Sequence, residues 1–272
     1  MPIRKILEQG AFAAFLVRHP RTAARYLRSN GVIRSYLSSA AERKLHLGAG
    51  PVLLDGWLNS DKYPASGRIA YVDTTKRFPF ASDTFKYVFS EHMIEHMSWQ
   101  AGARMLKECH RVLVPGGIVR IATPDLGKII GLYGHSGDPE GQRYIALMTD
   151  TFLKGIGGYK ASFVINNAFR NWGHQFLYDR DLLGLALRRA GFEGIRFFPM
   201  GDSDEAALKR IESRLQGENA EIAAYETIVV EGIKRPLDEH NEARPDHLAQ
   251  SGEFHDTGHS LDPATFQSAE RA

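Results

Sequence analysis

Residues 44–50 read Lys-Leu-His-Leu-Gly-Ala-Gly, and Asp61 follows eleven residues after Gly50, closing the stretch Gly-Trp-Leu-Asn-Ser-Asp. A short apolar strand running into Gly-x-Gly brings backbone against a nucleotide-like ligand. Any Cβ at those glycines would block the approach or forbid the turn. A carboxylate ending the next strand can accept two hydrogen bonds from a ribose diol. The same strand-then-acid order recurs twice downstream. Arg-Ile-Ala-Tyr-Val (68–72) precedes Asp73, and Lys-Tyr-Val-Phe (86–89) precedes Ser90 and Glu91.

Outward from this series the hydrophobic period alternates between strand and helix. Residues 101–113 predict an amphipathic helix carrying Met105, Leu106, Cys109, Val112 and Leu113 on one face. It stops at Pro115-Gly116-Gly117, and an apolar strand follows over 118–122. A second striped helix is expected over 181–190, ended by Gly191, with a strand over 194–198. The β-rich run 225–233 supplies one more sheet strand. Strands alternating with helices predict an α/β fold: a doubly wound, mostly parallel sheet covered on both faces. The stretch 50–61 is too short for a helix plus a strand, so the first crossover is expected to be a loop or a single turn. A dinucleotide fingerprint wants a third glycine and an acid about 20 residues on. Here Val52 replaces that glycine and the acid comes early, which argues against NAD.

A chain of 272 residues, 43% of them hydrophobic, can bury a sizeable core. No apolar run approaches the roughly 18 residues that span a bilayer. The single Cys109 excludes an internal disulfide framework and fits a reducing compartment, so the cytoplasm is the expected location. Charge is uneven. Residues 1–44 carry nine Lys/Arg against Glu8 and Glu42, whereas residues 235–272 carry three Arg against eight acids. The basic segment reads as a solvated helix face or as a contact for acidic lipid, nucleic acid or an anionic substrate. Ile3, Ile6 and Leu7 recur at helical spacing, Pro20 breaks the run, and Asn30-Gly31 predicts a helix stop. Val32, Ile33, Tyr36 and Leu37 then suggest one further helix. Residues 1–43 are thus a helical extension, able to make a peripheral membrane contact, and 235–272 a disordered acidic tail. The tail histidines His240, His247, His255 and His259 lack tight ligand spacing.

Residues 44–126 resemble a class I S-adenosylmethionine-dependent methyltransferase, of the small type 11-like kind found among bacterial polysaccharide biosynthesis genes. The matching pieces include 45–50, 56–61, Val-Asp-Thr (72–74), Ser-Glu-His-Met-Ile-Glu-His (90–96) and Arg-Val-Leu-Val-Pro-Gly-Gly (111–117). A fainter likeness runs through Gly-His-Gln-Phe-Leu-Tyr-Asp (173–179) to 234, so the methyltransferase domain is placed at 44–234. The resemblance implies a seven-stranded Rossmann-like sheet and S-adenosylmethionine as cofactor. It places His46, Leu47, Gly48, Ala49 and Gly50 along the methionine and ribose, although His46 stands where the family often has an acid. It also puts Asp61 on the ribose hydroxyls, Asp73 and Thr74 at the adenine edge, and Ser90 and Glu91 near the sulfonium.

Methyl transfer is an in-line displacement, so the enzyme chiefly aligns the reactants and excludes water. A hydroxyl acceptor must also lose a proton. His92 is the first candidate base and His174 the second; the alternatives are a histidine that only positions the cofactor and a polar strut beneath a cap. Acceptor recognition is expected within 127–178, where Tyr133, Asn167, Arg170 and Trp172 mix aromatic faces with amide and guanidinium donors suited to a sugar. The pattern His92-Met-Ile-Glu95-His96 fits the H-x-x-E-H zinc motif. It follows a strand directly rather than sitting inside a long helix, so no metal is expected. The functional expectation is O-methylation of a sugar or glycan-linked hydroxyl, with no nucleic-acid partner. A lipid or other small acceptor at a membrane surface and a non-catalytic binding scaffold are the alternatives.

Overall fold

The computed structural model describes residues 20–134, 138–216 and 219–235. The strands are β1 (Lys44–Leu47), β2 (Leu58–Asp61), β3 (Ala70–Tyr71), β4 (Phe85–Glu91), β5 (Leu113–Pro124), β6 (Phe192–Phe198) and β7 (Thr227–Lys234). They form a seven-stranded sheet in the order β3-β2-β1-β4-β5-β7-β6. Pairing is parallel from β3 to β5, and β7 inserts antiparallel between β5 and β6. The doubly wound, mostly parallel sheet expected from the strand–helix alternation is therefore present. The strand order reverses at β1 and β4, which places the carboxyl ends of both strands at a topological switch point.

The helices are α1 (Pro20–Ser39), α2 (Trp99–Val112), α3 (Leu126–Gly134), α4 (Pro139–Phe152), α5 (Ala161–Arg170), α6 (Arg180–Arg189) and α7 (Ala220–Glu226). Local chemistry starts several of them. Ser98 accepts the Ala101 N–H at the head of α2, and Asp179 accepts the Leu182 N–H at the head of α6. Asp138 caps α4, whose first residue is Pro139, the position where a missing N–H costs nothing. The apolar stripe of α2 (Ala101, Met105, Leu106, Cys109 and Val112) packs with Leu45, Leu47, Val88, Val119 and Ile121 of the sheet in the main core.

The opposite face is unusual. Asn59, His46, Phe89, Arg120, Glu231 and Arg196 are register partners in turn, so they form one row across six strands. No helix lies between β1 and β2, as the short spacing required. The chain after β6 covers part of this row instead. Leu208 joins Trp57, Tyr87, Phe89 and Ile118 in an apolar cluster, and the Tyr87 hydroxyl donates to Glu205 at 2.7 Å.

One expectation needs correction. Asn30-Gly31 does not stop a helix, because α1 runs through it to Ser39. A mid-helix glycine costs about 1 kcal/mol, but tertiary contacts on both sides outweigh that cost. Before the glycine, Ser29 exchanges hydrogen bonds with the Tyr71 backbone. After it, Ile33 is buried in the main core with Val32, Tyr36 and Leu37 against it. Among the described residues no helix is long and apolar enough to cross a membrane. The helical turn expected at residues 3–7 and the acidic tail after Arg235 lie outside the described residues.

Candidate active site

The loop after β1 is built on left-handed glycines. Gly48 has φ +70° and Gly50 φ +53°, and a Cβ at Gly48 would lie 2.6 Å from Met93 Cγ. Asp61 faces this loop from the end of β2, accepting the Gly50 N–H at 2.9 Å and the Tyr63 N–H at 2.6 Å. Asp73, just beyond β3, accepts the Thr75 N–H and hydroxyl and has Lys62 and Lys76 within 4 Å. Burial pushes the Asp73 carboxyl up, but the Thr75 hydrogen bonds and the two lysines outweigh it and hold the carboxyl below its ordinary value. The Thr74 hydroxyl points at the sulfurs of Met93 and Met97. Ser90 is buried at the end of β4, its hydroxyl without a hydrogen-bond partner among the described residues.

Gly48, Ala49, Gly50, Asp61, Asp73, Thr74 and Ser90 thus gather at the carboxyl ends of neighbouring strands. Three of the expected cofactor residues have other occupations. Leu47 is wholly buried in the main core. His46 is buried, with Nδ1 3.0 Å from Asn59 Oδ1 and its ring stacked on Phe89. Burial holds that ring below the ordinary histidine value. Glu91 gives both carboxylate oxygens to the turn at Ser213–Gln216, accepting from the Ser213 N–H and hydroxyl and from the Arg214 N–H.

His92 follows at φ +45°, a left-handed conformation that few residues other than glycine adopt. The residue lines a cavity of about 460 Å³. Its Nδ1 lies 3.4 Å from Glu95 Oε1 and its Nε2 3.1 Å from the Thr227 hydroxyl. Residues Ile94–His96 form a 3₁₀ turn rather than a long helix, and Glu95 is fully buried. Glu95 Oε2 also accepts the Thr123 hydroxyl at 3.0 Å. Burial pushes the Glu95 carboxyl up, yet the His92 ring beside it, helped by a backbone N–H and His96, holds it below the usual range.

The far wall of the cavity comes from α4, α5 and the loop beyond them. Phe152 and Trp172 meet edge to face at 5.2 Å, and Trp172 leans on His174. His174 donates from Nδ1 to the Ala168 carbonyl at 2.7 Å, which leaves its Nε2 lone pair free. Its ring stands 4.9 Å from that of His96, and burial lowers its pKa. Of the four residues expected to recognise an acceptor, Trp172 lines the cavity. Asn167 is buried behind it, bonded to Asn171. Tyr133 and Arg170 lie on the exposed surface.

Sequence reading missed Met93, Thr227 and Arg214. Met93 sits beside His92 and fills the space over Gly48. Thr227 lies 135 residues from the histidine it contacts, with no local signal to connect them. Arg214 reaches the cavity from the turn that Glu91 holds, and α7 closes the same side with Ile222 and Ala223.

Residues 55–121 match the family Methyltransf_11, described as a methyltransferase domain. The matched span begins beyond the glycine loop and contains Asp61, Asp73, Ser90, His92 and Glu95. No curated protein matches the chain. Among solved structures, it is similar to a chain of the complex between the Haloferax volcanii Trm112 methyltransferase activator and the putative methyltransferase. The identity there is 13%, over 84% of this chain and 98% of that chain, with a TM-score of 0.44. A SAM-dependent methyltransferase from Archaeoglobus fulgidus is 16% identical over 81% of this chain and 99% of its own, at a TM-score of 0.43. One from Thermotoga maritima is 15% identical over 81% and 98%, at 0.41. The sheet order and the antiparallel β7 are those of the class I methyltransferase, Rossmann-like fold.

Proposed function

We propose that this protein transfers a methyl group from S-adenosylmethionine to a hydroxyl of a sugar or glycan-linked acceptor seated in the cavity beyond His92. The observation that carries the reading is the placement of His92. It follows the strand that borders the glycine loop, it lines the cavity, and a buried carboxylate lies behind its Nδ1.

The residues present fit that donor. Gly48 and Gly50 give the loop a left-handed backbone, Asp61 and Asp73 stand at successive strand ends, and the buried Ser90 hydroxyl has no hydrogen-bond partner among the described residues. Gly48, Gly50, Asp61, Asp73, Thr74 and Ser90 would hold it. When bound, it supplies a methyl group made electrophilic by a sulfonium.

This chain's own residues supply alignment, water exclusion and a proton acceptor. Glu95 favours the His92 tautomer that carries its proton on Nδ1 and leaves a lone pair on Nε2. The 3.4 Å separation is long for a hydrogen bond and shortens with a small rotation of the ring. An acceptor hydroxyl displacing that of Thr227 would give its proton to Nε2, a contribution worth typically about 10²–10⁴-fold in rate. Phe152 and Trp172 offer flat apolar surface to the ring face of a sugar, while Arg214 adds a charged donor at the opposite wall.

Calorimetric titration with S-adenosylmethionine, joined to a turnover screen over glycosides, tests the reading. Asp61→Ala is expected to weaken donor binding by about 10–100-fold, because a hydrogen bond to a charged group is worth roughly 1.5–3 kcal/mol. His92→Ala is expected to reduce turnover by about 10²–10⁴-fold with donor affinity nearly unchanged. Absence of donor binding by the wild-type chain would remove the activity altogether. A fall in donor affinity alone for His92→Ala would make that histidine a binding residue.

A further inference from the structure

We infer that Glu95, His96 and His174 form a binding site for one divalent first-row transition-metal ion in the wall of the cavity. One ligand atom from each of the three lies within 4.8 Å of the others. Bonds of about 2.0–2.2 Å to N and O ligands require separations of about 3–3.5 Å, which modest side-chain rotations reach.

Several features besides proximity point to a cation. Glu95 is fully buried, and its Oε1 makes no hydrogen bond. Among the described residues its only ion-pair partner is His92, and no Lys or Arg pairs with it. A buried carboxylate is costly without a counter-charge, and a metal ion supplies one. The histidine beyond it is oriented as a ligand would be. His174 is fixed by Nδ1–H···O=C to Ala168, so its free Nε2 points away from that anchor; such an outer hydrogen bond sets the tautomer of metal-bound imidazoles. Thr123 does the equivalent for the carboxylate by donating to Oε2.

Two imidazoles and one carboxylate suit zinc, manganese, iron or cobalt better than magnesium or calcium, which prefer all-oxygen shells. Three protein ligands leave coordination positions open toward the cavity. A hydroxyl or vicinal diol of the acceptor can occupy them. That acceptor role rests on the methyl-transfer reading; the binding of the ion does not.

The test is titration of the metal-stripped full-length chain with Co²⁺, followed by its visible absorption, and with Zn²⁺ by calorimetry, in the absence of donor and acceptor. One equivalent is expected to bind, and Glu95→Gln and His174→Ala are each expected to weaken it by at least about tenfold. Circular dichroism and thermal unfolding check that each variant folds; if the buried Glu95→Gln does not, half-buried His174 still reads the site. A chain with His240, His247, His255 and His259 changed to Gln is expected to retain binding. Absence of stoichiometric binding by the wild-type chain overturns the site, as does binding lost only with the tail histidines. Because no methyl donor is present, either result stands apart from the fate of the proposed activity.

Discussion

Two glycines of the same loop carry different constraints. Gly48 and Gly50 both have positive φ, but a Cβ at Gly50 would meet nothing within 4 Å, whereas one at Gly48 would strike Met93 Cγ at 2.6 Å. An alanine in the left-handed region costs roughly 1–2 kcal/mol from conformation alone. Gly50→Ala should therefore lose about that much stability. Gly48→Ala should lose about 1–3 kcal/mol more, because Met93 has to move. Urea unfolding of the two variants measures the difference; equal losses would show that Met93 yields freely. The same contact explains why Met93 matters although no motif singled it out. His92 shows the opposite economy of shape: a non-glycine residue held at positive φ that lines the cavity.

The segment between β6 and α7 stands where a helical layer would otherwise cover the polar row of the sheet. Arg120 is buried in that row, with Nε 2.7 Å from Glu212 and Nη1 2.6 Å from Glu231. Burial pushes the Glu212 carboxyl up despite the arginine beside it. Removing the one cation between two buried carboxylates leaves uncompensated charge, a loss of about 3–5 kcal/mol. Arg120→Met is expected to lower stability by that amount at neutral pH and to loosen the segment, read as faster amide exchange over 203–216. A loss under about 1 kcal/mol would show that water or protonation relieves the pair. Glu91 fastens the end of the same segment through Ser213 and Arg214. The coverage is therefore coupled to the strand that presents His92.

Across the whole molecule, buried His46 and part-buried His110 make stability respond to acid. Burial lowers the pKa of His46 within the polar row, against weaker opposing effects of Asn59, Glu91 and Asp61. His110 on α2 is lowered likewise, with Lys234 adding to the effect and Asp83 opposing it. In each case the folded state refuses a proton that the unfolded chain accepts below about 6.5. Neither ring costs stability above that pH. Below it the unfolded state gains protons first, so stability falls as pH drops toward each folded value. Asp73 and Glu108, held below their ordinary values, add a second loss below about pH 4. Urea midpoints between pH 7.5 and 5 should fall for the wild type and fall less for His46→Gln and His110→Gln. An identical slope in both variants would assign the acid sensitivity elsewhere.

The amino-acid sequence by itself determined the α/β alternation, the helix faces of α2 and α6, the absence of a first crossover helix, and the glycine loop with its facing Asp61. Each of these depends on neighbours close along the chain, through side-chain period, turn chemistry or a spacing too short for a helix. Only the tertiary structure decided that α1 continues past Gly31, because contacts to Tyr71 and the main core override local propensity. Only packing revealed that His46 is a strut and that Glu91 grips a turn. Arg120, Glu212 and Glu231 look like surface charges until the segment that covers them is known. The His92–Thr227 contact and the Glu95–His96–His174 cluster likewise join residues far apart in sequence, and no local rule encodes which distant partners a fold brings within bonding distance.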